Sequence, residues 1–311
     1  MGNRETVIFV PKNISKNYIN SYIGKLNFFF GIKDQKKENY YIVYEKVEEV
    51  DLLGVLLTYK FLEFSIKNFC FKDPNLTLND TMNKQIKRFG FDNLILDLIN
   101  GNEARKEYEK LKVEIKDDFL IAPIALIRSD NNNKDTIKNK YLPVIERYFQ
   151  DDKTCTMILQ VFSEILHNFW SHAVHDTLSI IVVHGNKSKI QIVCADTGEG
   201  IVESLRGSFG SSSSDEYILQ KSTEKGRTSK PNTNHMGYGL WYLNEIITKT
   251  NGKFEMYSQN GYYKNSAGKI SSYASCFWKG TIINAELPLV NPITIADIEK
   301  KNDNRLKINF K

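Results

Sequence analysis

The stretch "EILHNFWSHAV", Glu164 to Val174, places a carboxylate, an amide and two imidazoles (His167, His172) inside what otherwise reads as a core helix. From Asp152 to Val174 the chain contains neither Pro nor Gly. Apolar Ile158, Val161, Ile165 and Phe169 recur at the spacing of one helical face. Gln160, Glu164, Asn168, Ser171 and His175 recur on another, with His172 beside them, and that second stripe holds no Lys or Arg. Taken alone, the stripe reads either as a solvated face or as a place for a cation and a water.

Two further stretches lie downstream. "LSIIVVHG" and "KIQIVCAD" read as two strands joined through Gly185-Asn186, a hairpin turn. The second strand delivers Asp196, and Gly198 and Gly200 follow in "ADTGEGI". An acidic side chain at a strand end can accept a hydrogen bond from an exocyclic amine, and glycines let backbone approach a flat ring. The same residues also make an ordinary turn. In "MGYGL", Gly237 and Gly239 precede an amphipathic helix. Backbone N–H groups at a helix start bind phosphate, although a flexible connection explains the glycines equally well.

The order is Glu-x-x-x-Asn on a helix, Asp-x-Gly-x-Gly after a hairpin strand, then Gly-x-Gly-Leu opening a helix, with "KGTIINAELPL" closing the set. Over residues 117–290 this pattern resembles the GHKL ATP-binding fold of gyrase, the large heat-shock chaperones, histidine kinases, MutL and the anti-sigma serine kinases. The resemblance implies an α/β (α+β two-layer) Bergerat sandwich that takes ATP and Mg²⁺. It implies that Asn168 coordinates the metal and that Glu164 orients or deprotonates an attacking water. It further implies that Asp196 reads the adenine amine, that Gly198 and Gly200 form the base-contacting turn, and that Gly237 and Gly239 end the lid at the phosphates. Thr281 matches a threonine near the adenine. The spacing Asn168 to His172 is similar to the anti-sigma serine kinase variant of the helix. Phe169 departs from the alanine frequent after that Asn. The stretch Glu203 to His235, with serines at 211–214, is expected to be a polar lid. It lacks a recognisable catalytic Lys, leaving Lys221, Lys225, Arg227 and Lys230 for phosphate contact.

The remainder is less specific. Residues 1–102 alternate strands with helices and resemble a STAS domain, although the turn Asp51-Leu52-Leu53-Gly54 offers no hydroxyl for phosphorylation. A generic α/β accessory domain fits as well. "FCF" (Phe69 to Phe71) reads as a short strand, residues 103–116 as a charged linker and residues 291–311 as a charged tail. "SYASCFW" and "TIINAEL" read as separate strands.

All five histidines lie at or beyond His167, so no upstream helix offers a phosphoacceptor histidine and a conventional histidine kinase is not expected. The short stretch beyond Val290 does not match the second domain of gyrase or MutL. A net charge of +5, from 42 Lys+Arg against 37 Asp+Glu, gives no strong basic patch, so nucleic acid is not expected as a partner. Four well-separated cysteines, with no signal-peptide pattern or long apolar run, suit the cytoplasm and no membrane. The expected activity is ATP hydrolysis or transfer to Ser/Thr of a protein partner, with homodimer formation left open. The alternative is a non-catalytic module whose ATP-closed lid controls partner binding.

Overall fold

In a computed structural model, the chain is described at residues 4–31, 38–69, 75–101, 113–115, 118–126, 139, 141–172, 179–210, 212–227 and 237–303. The architecture is α/β, built around a six-stranded antiparallel sheet. Its strands are β6 (Val113–Ile115), β7 (Phe119–Leu126), β8 (Ser179–Gly185), β9 (Lys189–Ala195), β10 (Lys253–Ser266) and β11 (Lys269–Pro288), in the spatial order β10-β11-β9-β8-β7-β6. Strand β6 lies within the stretch expected to be a charged linker and forms the sheet's edge. The turn between β8 and β9 is held by Asn186, whose side chain accepts from the N–H of Ser188 at 2.9 Å and of Lys189 at 3.2 Å.

Alternate residues of each strand point to opposite faces. On β8, Ile181 and Val183 enter one core and Ile180 and Val182 the other; on β9, Ile192 and Cys194 face one way and Val193 and Ala195 the other. Both faces are covered, which is why these strands read as nearly unbroken apolar runs. The first face carries α5 (Leu142–Phe149), α6 (Asp152–His172), α7 (Gly200–Phe209), α8 (Asp215–Ser222), α9 (Gly239–Lys249) and α10 (Ile295–Asp303).

The second face is covered by the N-terminal unit. A parallel three-stranded sheet, ordered β1 (Arg4–Phe9), β3 (Glu38–Val43) and β5 (Asn75–Thr77), is joined by the short pair β2 (Asn13–Ile14) and β4 (Glu49–Val50). Its helices are α1 (Ile19–Leu26), α2 (Leu52–Phe69), α3 (Asp80–Arg88) and α4 (Asp92–Ile99). Helix α2 packs on β9, and α1 packs on β11. One continuous core therefore contains Leu56 and Phe61 of α2 together with Val193, Ala195, Trp278 and Ile282 of the large sheet. Lys16 closes the contact at 2.6 Å from Glu286 of β11.

Several elements differ from the sequence expectations, each for a physical reason. Asp51 to Gly54 is the cap and first turn of α2: the Asp51 carboxylate accepts from the Gly54 N–H at 3.0 Å, and the Asp51 carbonyl from the Val55 N–H at 3.0 Å. Phe69 ends α2 rather than starting a strand, and Cys70 and Phe71 lie outside the described residues. The two strands expected around Gly280 are one strand, β11, interrupted by an irregularity. Among its described residues, the stretch expected to be a lid contains the end of α7 and all of α8: Ile218 and Leu219 of α8 are fully buried, and α8 packs on β10. The tail continues as helix to Asp303, with Ile298 in the core. Among the described residues, no helix is long and apolar enough to cross a membrane.

Candidate functional site

Helix α6 faces α9 and α10 along its polar stripe. The Gln160 carboxamide oxygen accepts from the Ile295 N–H at 2.9 Å, satisfying one of the open donors at the start of α10. One turn on, Glu164 and Asn168 meet the first residue of α9. A Cβ on Gly239 would collide with Glu164 Oε2 and stand 3.7 Å from Asn168 Nδ2. Gln160, Glu164 and Asn168 of the stripe therefore lie on a packed face, where a long Lys or Arg side chain has no room; His175 lies outside the described residues. The Asn168 amide donates to the Glu164 carbonyl at 2.8 Å, which leaves its Oδ1 as the atom for a cation. Oxygen donors and few protein ligands suit Mg²⁺, so the residues fit that ion. Burial raises the Glu164 pKa above the ordinary carboxylate value.

The second cluster forms where β9 ends. Asp196 is 2% exposed and is held by the chain at four points. Its carboxylate accepts from the Gly198 N–H at 2.7 Å and the Thr281 N–H at 3.2 Å. Its own N–H donates to the Thr281 carbonyl at 3.0 Å, and its carbonyl accepts from Trp278 Nε1 at 2.9 Å. The Thr281 hydroxyl accepts from the Ile201 N–H at 3.0 Å and so caps α7. Gly200 (φ +81°) and Gly280 (φ +97°) both occupy the left-handed region and lie against each other, and a Cβ at 280 would strike Asp196 itself. Ser258 joins the cluster by donating to the Gly280 carbonyl at 2.8 Å.

Both clusters lie on the helix-covered face, since α7 and α9 each pack on α6. Glu164, Asn168 and Gly239 come together at one, and Asp196, Gly198, Gly200 and Thr281 at the other. Gly237 (φ +68°) plays a different part: it packs on the backbone of Arg227, and its carbonyl accepts from the Gly226 N–H at 3.1 Å. Of the cations considered for phosphate contact, Lys221 pairs with Glu224 at 2.6 Å. Arg227 lies 3.5 Å from Glu224 and 5.5 Å from the centre of the Phe209 ring. Lys225 sits over Trp241, 4.9 Å from the ring centre, beside the start of α9. Lys230 lies outside the described residues. Trp278 and Ser258 were not singled out from sequence, because an isolated tryptophan or serine in a strand carries no local signal of a site.

With that geometry in place, the comparisons are specific. Residues 155–291, somewhat under half of the chain, match the family model of the histidine kinase-, DNA gyrase B- and HSP90-like ATPases. Over that segment the chain is similar to these ATPases, and the segment contains both clusters. No curated protein matches the chain.

Proposed function

We propose that the chain binds Mg²⁺-ATP on the α6 face, with adenine at Asp196 and the phosphates at the start of α9, and that it cleaves the terminal phosphoanhydride. The observation that carries this reading is the contact between the Glu164 carboxylate and Gly239, with Asn168 one turn away. It brings a carboxylate, an amide and a helix N-terminus within one small volume, which supports their roles as base, metal ligand and phosphate site. Asp196 accepts from the exocyclic amine of the base, since a carboxylate can accept several hydrogen bonds. Asn168 holds the ion through Oδ1. Glu164 takes the proton of the attacking hydroxyl as that oxygen bonds to the γ-phosphorus. The bond to the bridging oxygen then breaks, and ADP leaves with the electron pair. Burial, which raises the Glu164 pKa, makes its carboxylate a stronger proton acceptor.

The attacking hydroxyl is that of water or of a Ser/Thr side chain on a protein partner. The two are separated by single-turnover assay with γ-labelled ATP, following free phosphate and labelled protein together. Release of label to water supports hydrolysis, and label on a hydroxyl side chain supports a kinase. No transfer under any condition, with ATP still bound, overturns the role of Glu164 as base and favours an ATP-gated binding module. The sharing of one core between the N-terminal unit and the back of the nucleotide sheet supports a regulatory role in either case.

A further inference from the structure

We propose that Trp278 is a positioning residue for adenine recognition, and that through it the N-terminal unit forms part of the nucleotide site. The inference rests on the reading of Asp196 as the adenine acceptor. Trp278 is fully buried on the face of the sheet covered by the N-terminal unit, yet its Nε1–H reaches the Asp196 carbonyl at 2.9 Å. The route is a bulge in β11. Ser258 of β10 is opposite Thr281, while the next residue, Gln259, is opposite Trp278, so Lys279 and Gly280 are left unopposed. Bulges of this kind bend a strand and re-aim a side chain. Here Gly280, with its positive φ, brings the backbone against Asp196 as the indole closes on the same residue from the other side.

The other edges of the indole are packed by the N-terminal unit. Phe30, which follows α1, meets Trp278 edge to face at a centroid separation of 5.2 Å. Phe30 is in turn set against Phe64 of α2 at 4.9 Å, also edge to face. Removing the indole donor weakens the hold on a buried carbonyl and so loosens the placement of Asp196. The pose of the adenine acceptor is therefore fixed in part by aromatic residues more than 130 positions earlier in the chain.

The test compares ATP with purine riboside triphosphate, which lacks the exocyclic amine, on the full chain carrying Trp278→Phe. That substitution keeps an aromatic ring but removes the Nε1–H donor and part of the buried indole volume, which is why the comparison between the two nucleotides, and not affinity alone, is read. ATP affinity is expected to fall about tenfold while the amine-free nucleotide changes little, so that the preference for ATP collapses. Phe30→Leu, which leaves the donor in place and loosens its support, is expected to narrow the preference by about threefold. It also serves if Trp278→Phe does not fold. Equal weakening of both nucleotides would show that Trp278 only supports the fold, and unchanged preference in both variants would overturn the inference. A wild-type chain with no preference for ATP would instead remove the reading of Asp196, and the inference with it.

Discussion

Replacing Gly239 by alanine tests the contact at the centre of the site. Gly239 is the first residue of α9 and has no positive φ, so its backbone accepts alanine without strain, and alanine is the better helix former by up to about 1 kcal/mol. The added Cβ nevertheless collides with Glu164 Oε2, the end of a flexible side chain. Real Cβ atoms essentially never approach another heavy atom within 3.0 Å, so the carboxylate must retreat, by about half an ångström or more. Misplacement of a reacting group by about 1 Å can cost ~10²-fold in rate, so turnover is expected to fall by one to two orders of magnitude. The Gly239 N–H remains for phosphate, and nucleotide affinity should stay within a few-fold. The assay is steady-state phosphate release beside a nucleotide titration and a thermal melt. Full turnover in a folded Gly239→Ala variant would refute Glu164 as the base, because the substitution displaces that carboxylate.

Three other perturbations separate the proposed roles. Asp196→Asn should weaken ATP and ADP alike, whereas Asn168→Ala should weaken mainly the Mg²⁺-dependent part of binding; equal losses with and without Mg²⁺ would show the roles to be misassigned. Glu164→Ala should retain ATP binding within a few-fold and lose ~10²-fold or more in turnover, measured as kcat against Kd. Lys16→Met should reveal the anchor between the N-terminal unit and β11. Burial alone would raise the Glu286 pKa, but Lys16 and Lys189 outweigh it and hold it below the usual carboxylate range. A depressed carboxylate contributes stability that is present above its unfolded pKa and is lost as pH falls through the folded one. The variant should therefore lose about 1 kcal/mol at neutral pH, after allowance for the partly exposed Lys16, and the gap to wild type should close on acidification. A gap that widens in acid would contradict this assignment.

What was legible in the sequence was local. Glu164 and Asn168 share a helical face by spacing alone, and Asp196 is marked by a strand that ends in glycines. These short-range signals carry the family resemblance, and the structure places each inside one of two clusters. What was missed depends on pairing and packing between distant residues. The bulge at Gly280 exists because β10 and β11 pair out of step, which made one strand read as two. The run of serines at 211–214 and the surrounding polarity suggested a loop, but the apolar pair Ile218-Leu219 has β10 to pack on and folds as helix. The residues expected as a linker contribute an edge strand because Val113–Ile115 has β7 beside it. Trp278 gave no signal because its role requires Phe30, Phe64 and Asp196 to meet in space.

The most direct test of the account is thermal unfolding of the full chain with and without Mg²⁺-ATP. Ligand at 100 times its dissociation constant stabilises the native state by about 2.7 kcal/mol, which for a domain of this size corresponds to a rise in Tm of about 5–10 °C. The account predicts that rise for wild type, and its loss when Asp196→Asn is heated at the same nucleotide concentration. No shift in wild type at millimolar Mg²⁺-ATP would contradict it.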